Sequence, residues 1–66
     1  MPRKLKELIA DYRRHGFVEE SGKGSHRNFR HPDLPGKVTL SGKSGDDAQH
    51  YQEKDLRDWL RKLQNV

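Results

Sequence analysis

The stretch GKGSHRNFRHP, Gly22 to Pro32, packs two histidines, two arginines, a lysine and a serine into eleven residues. Histidine exchanges a proton near neutral pH, so it can serve as a general base or a general acid. RNA carries its own nucleophile, the 2′-hydroxyl. A ribonuclease therefore needs a base for that hydroxyl, an acid for the departing oxygen and cations for the developing charge. One imidazole at His26, among Lys23, Arg27, Arg30 and Lys37, supplies the minimum for this chemistry. The plain alternative is a solvated histidine beside a basic hairpin turn.

Other chemistries fit less well. Four histidines invite a metal, but His26 and His31 are five residues apart on one expected strand and so fall on opposite faces. His15 closes the first helix and His50 precedes the second, and the chain has neither a cysteine nor an HExxH pair. No metal and no other cofactor is expected. The string GKVTLSGKS looks like a phosphate loop but encloses five residues between Gly36 and Gly42, where that loop requires four. It also lacks a following helix at Ser44.

The charge is localised. Residues 22–45 carry Lys23, Arg27, Arg30, Lys37 and Lys43 against Asp33 alone, which accounts for the whole net charge of +4. The flanking segments are nearly balanced. A local basic surface attracts phosphate backbones, whereas mixed charge along a helix mainly keeps it hydrated. Sixty-six residues make a single domain, 1–66, with a small core. The absence of cysteine, of a signal-peptide pattern and of a long apolar run leads us to expect a soluble, cytoplasmic protein.

The elements that must position His26 follow from periodicity. Leu5, Leu8, Ile9 and Tyr12 recur at helical spacing, and Gly16 supplies a left-handed stop. Phe17–Ser21 and Ser25–His31 read as strands joined by the short Gly22-Lys23-Gly24 link, and Lys37–Ser41 alternates with period two. After a polar loop from Gly42 to His50, Leu56, Trp59, Leu60 and Leu63 return to helical spacing from about Tyr51 onward. Trp59 lies in that apolar stripe and is expected in the core rather than stacked on a base. The predicted fold is α+β, a two-layer αβββα sandwich with a three-stranded antiparallel sheet and both helices on one face. Phe29, Val38 and Leu40 should point toward the helices, with Arg27 and His31 on the same side at the margins. His26, Asn28, Arg30, Lys37 and Thr39 should then share the open face.

The run HGFVEESGKGSHRNFRHPDLPGKVTL, followed by GDD and a closing amphipathic helix, resembles the HicA toxin family of bacterial toxin–antitoxin systems. The likeness rests on helix-Gly-Phe-Val, the motif Gly24-Ser25-His26, the following aromatic and His-Pro, and the Gly-Lys-Val-Thr strand. It implies a double-stranded-RNA-binding-like fold and a small mRNA interferase that cleaves messenger RNA without metal. It also implies that a HicB-like antitoxin neutralises the protein by covering its basic face. By position, the resemblance makes His26 the catalytic residue, held by Gly24 and Ser25. Many relatives carry a second histidine where this chain has Arg27. The expected RNA-binding residues are Lys23, Gly24, Ser25, Arg27, Asn28, Arg30, Lys37 and Lys43. Two other readings are a non-catalytic RNA-binding module of the same fold and a protein-interaction domain from a degenerate toxin locus.

Overall fold

Leu5, Leu8, Ile9 and Tyr12 form one buried stripe on helix α1, Leu5–Arg14, in the computed structural model, which describes residues 3–22, 24 and 26–65. The first turn of α1 has backbone donors that no preceding turn can satisfy. Here the loop before the second helix satisfies two of them. Leu5 and Lys6 donate backbone N–H groups to the carbonyls of Asp46 and Ser44, at 2.9 and 3.0 Å. An isolated antiparallel bridge between Lys4 and Asp47 and an ion pair of 2.5 Å between their side chains hold the same junction. At the other end, Gly16 adopts φ +91, a left-handed conformation that turns the chain out of the helix. Phe17 then folds back, its N–H donating to the Tyr12 carbonyl at 3.0 Å.

Three strands follow, β1 at Val18–Ser21, β2 at Arg27–Arg30 and β3 at Val38–Leu40, paired antiparallel in the order β1-β2-β3. Directly opposed residues share a face, so the register sorts the sheet. Glu19, Phe29 and Val38 form one inward row, and Arg27 with Leu40 another. Val18 with Arg30, and Glu20, Asn28 and Thr39, face outward. Helix α2, His50–Gln64, packs with α1 over the inward face. It starts one residue earlier than its apolar stripe predicts. Gln49 donates its N–H to the side chain of Gln52 at 2.7 Å, which caps the first turn and draws His50 into the helix.

One cluster joins the layers. Leu5, Leu8, Ile9, Tyr12, Phe17, Phe29, Val38, Leu40, Ala48 and Leu56 are buried, with Leu34, Trp59, Leu60 and Leu63 packed around them. Tyr12 is central, stacked on Phe29 at 5.3 Å between centroids and edge-on to Phe17 at 5.0 Å. Trp59 packs edge-on to Phe17, with the Lys62 ammonium 4.6 Å above its ring, so its place is with the core as its spacing predicts. Among the described residues Gln52 is the buried polar one; its Nε2 donates to the Ser41 carbonyl at 3.2 Å and fastens α2 to the end of β3. The α+β architecture, with a three-stranded antiparallel sheet and two helices, is the one the periodicities predict.

Candidate nucleic-acid interface

The sheet ladder ends at the Ser21–Arg27 pair, so the β1–β2 connection runs from Gly22 to His26. That is wider than the three-residue link expected from sequence, and it moves His26 from within the strand to the residue just before it. The reason is visible at both ends of the loop. Gly24 takes φ +60 at the turn. Gly22 lies so close to the other limb that a Cβ there would sit 2.7 Å from the His26 carbonyl oxygen. The chain therefore narrows through a backbone contact instead of a ladder hydrogen bond. His26 is exposed at the end of this loop and continues the alternation of Asn28 and Arg30.

The expected site residues separate into groups. Asn28, Arg30 and Thr39 occupy the outward face of the sheet, and exposed Lys37 immediately precedes β3 on the same alternation. Lys43 is exposed beyond the end of β3, at the same end of the sheet as the hairpin loop, and its N–H donates to Asp46 at 3.0 Å. Arg27 belongs to the opposite, inward face. Its guanidinium lies 3.4 Å from Glu19, which also pairs with Arg13 of α1. Lys23 and Ser25 lie outside the described residues.

Two pairs of outward side chains are defined. The Thr39 hydroxyl donates to the Asn28 side-chain carbonyl at 2.6 Å, which leaves the Asn28 amide N–H groups available for an acceptor above the sheet. Arg30 meets Glu20 at 3.5 Å, with both side chains about half exposed. An ion pair of that kind contributes only about 0.2–1 kcal/mol, so Arg30 is readily lent to another anion. Sequence reasoning missed both glutamate partners and the role of Gly22, because each depends on the hairpin register.

The second histidine of the opening stretch does a different job. His31 Nδ1 accepts the Asp33 backbone N–H at 3.0 Å, so its Nε2 carries the proton and donates to the His15 carbonyl at 3.1 Å. The ring stands edge-on to Phe17 with centroids 5.1 Å apart. Both nitrogens are thereby used in tying the end of β2 to the turn after α1. Among the described residues, no three histidine, aspartate or glutamate side chains converge where they could hold a metal ion.

The arrangement is an outward polar sheet face with an imidazole at one end, an oriented amide in the middle and cations at the other end. The family model described as HicA toxin of bacterial toxin–antitoxin matches residues 5–64, which includes every element above. The chain belongs to the HicA toxin family. HicA proteins are toxins of bacterial toxin–antitoxin systems, and membership implies an antitoxin partner. A comparison with curated proteins finds no match. No helix among the described residues is long and apolar enough to cross a membrane.

Proposed function

We propose that this HicA-family chain is an mRNA interferase that cleaves RNA without a metal ion, with His26 as its general acid/base and a HicB-like antitoxin as its neutralising partner. The reading is carried by one observation. In a chain of this toxin family, an exposed histidine sits at the end of a hairpin next to a polar, cationic sheet face. His26 takes the proton of a 2′-hydroxyl as its oxygen attacks the adjacent phosphorus. The bond to the 5′-oxygen breaks, and that oxygen collects a proton from the imidazolium. The products are a 2′,3′-cyclic phosphate and a 5′-hydroxyl end. Lys37 and Lys43, with Lys23 from the same basic segment, balance phosphate charge along the strand, and Arg30 contacts the RNA at the far end of β2. Arg27, turned to the inward face and paired with Glu19, steadies the start of β2 beside His26, Asn28 lines the path from His26 toward Arg30, and Gly24 belongs to the loop that carries His26. The basic face that holds RNA is also the surface an acidic antitoxin segment would cover.

The test is induced expression of the wild type and of His26→Ala in a host without the antitoxin, together with purified protein and RNA in EDTA. Growth arrest and RNA fragmentation by the wild type, both lost in His26→Ala, are the expected result. Equal arrest by the two proteins would remove His26 from catalysis. Salt-sensitive RNA binding without fragmentation by the wild type would make the chain a non-catalytic RNA-binding module.

A further inference from the structure

Val18 is apolar yet 56% exposed, in a strand otherwise made of Glu19, Glu20 and Ser21. It has an outward place directly opposite Arg30. Burial explains the other strand hydrophobics, and it does not explain this one. Val18 forms one wall of a groove of about 360 Å³, completed by Arg30, His31, Pro32 and Leu34. That volume lies at the lower end of the range for ligand-binding clefts.

The groove continues the proposed RNA path. β2 rises about 3.3 Å per residue, so Arg30 stands roughly 13 Å along the sheet from His26, more than one nucleotide step away. A strand with its scissile phosphate at His26 would pass Asn28 and Thr39 and arrive at Arg30 and Lys37. Single-stranded RNA can splay out a base, and an apolar wall lets that base leave water. The groove's polar chemistry is narrow. Both His31 nitrogens are engaged by Asp33 and His15, and Val18, Pro32 and Leu34 have no side-chain hydrogen-bonding groups. Arg30 is left as the lining side chain with donors to offer, and its partner among the described residues is Glu20, at a long 3.5 Å. A guanidinium fork matches the O6 and N7 acceptors of guanine.

We propose that the groove between Val18, Pro32 and Leu34 is a nucleobase pocket that selects guanine through Arg30, at a position flanking the cleaved phosphate. The proposal rests on the RNA-cleaving reading above. Its occupant follows from the chemistry of the walls: an apolar slot with a cationic fork at its rim, on the face that carries the local positive charge.

The experiment measures binding by full-length His26→Ala protein to two single-stranded RNA oligonucleotides of equal length. One is a uridine homopolymer, and the other has a single guanosine. The guanosine-containing strand should bind about tenfold or more tightly, the discrimination one good bidentate contact supplies. Arg30→Ala and Val18→Glu should each erase that preference, and thermal unfolding of each variant checks that the fold is intact. Val18→Ser, which adds no charge, should weaken the guanosine strand more than the homopolymer. Equal affinity for the two strands overturns the pocket while leaving RNA binding in place. So does a uniform loss in Arg30→Ala, which would make Arg30 a phosphate contact. Failure to bind either strand at low salt would overturn the RNA-cleaving function, and the pocket with it.

Discussion

At the scale of the residue, His26 is placed less by its own contacts than by the glycine across the loop from it. A Cβ at Gly22 would lie 2.7 Å from the His26 carbonyl oxygen and 3.1 Å from its carbonyl carbon. Those are backbone atoms, which cannot swing aside as a side-chain tip can. Gly22→Ala should therefore shift the His26 backbone without disturbing the core, which lies on the other side of the sheet. A displacement of about 1 Å can cost on the order of a hundredfold in rate. We expect RNA cleavage to fall by that order while the melting temperature changes little, read by gel assay and by circular dichroism. A large loss of stability with an unchanged specific rate would assign Gly22 a purely structural role. Period-two alternation was enough to put Asn28, Arg30 and Thr39 on one face, since Phe29, Val38 and Leu40 fix the opposite one. The partners of Arg27 and Arg30 were not legible. They follow from which residue of β1 opposes which of β2, and the loop length that decides this depends on a glycine contact no pattern encodes.

At the scale of the element, α1 holds a buried hydroxyl that lacks a partner among the described residues. The Tyr12 ring is fully enclosed by Phe17 and Phe29, and among the described residues its hydroxyl has no hydrogen-bond partner. A buried hydroxyl left unpaired costs about 1–3 kcal/mol. Tyr12→Phe keeps the ring and removes the cost, so its unfolding free energy should equal or exceed that of the wild type, measured by urea titration. Burial, with a smaller contribution from the Asp55 carboxylate, raises the Tyr12 pKa well above its ordinary value of 10. The sign follows from linkage. The folded state keeps the proton that the unfolded state releases above about pH 10, so stability is undiminished below that pH and falls as pH rises beyond it. Tyr12→Phe should lose that part of the alkaline fall, and a variant that destabilised at neutral pH would point to a partner for the hydroxyl. The helices themselves were readable because their apolar stripes are strict. Their starts were less so, because the donors of Leu5 and Lys6 are met by carbonyls some forty residues away in the loop at 44–46.

At the scale of the whole molecule, the question is whether RNA responds to net charge or to where the charge lies. Lys37 is exposed at the start of β3 beside the outward face, whereas Arg57 is exposed on α2, which packs against the inward face. Lys37→Glu and Arg57→Glu change the total charge identically. Each phosphate neutralised on a single strand contributes about 0.7 to the slope of log affinity against log salt. If binding is confined to the outward sheet face, Lys37→Glu should weaken RNA binding and flatten the slope by roughly that amount, and Arg57→Glu should leave the slope nearly as it was. The helix layer is a fair comparison because it is itself charged: on α2, Glu53, Asp55 and Asp58 stand against Lys54, Arg57, Arg61 and Lys62, so a diffuse field would let RNA sense Arg57 as well. Equal losses in the two variants would mean that RNA senses a diffuse cation. The order of His26, just before β2, and of Asn28 and Arg30 within it would then be a consequence of strand alternation, with no path for RNA built on it.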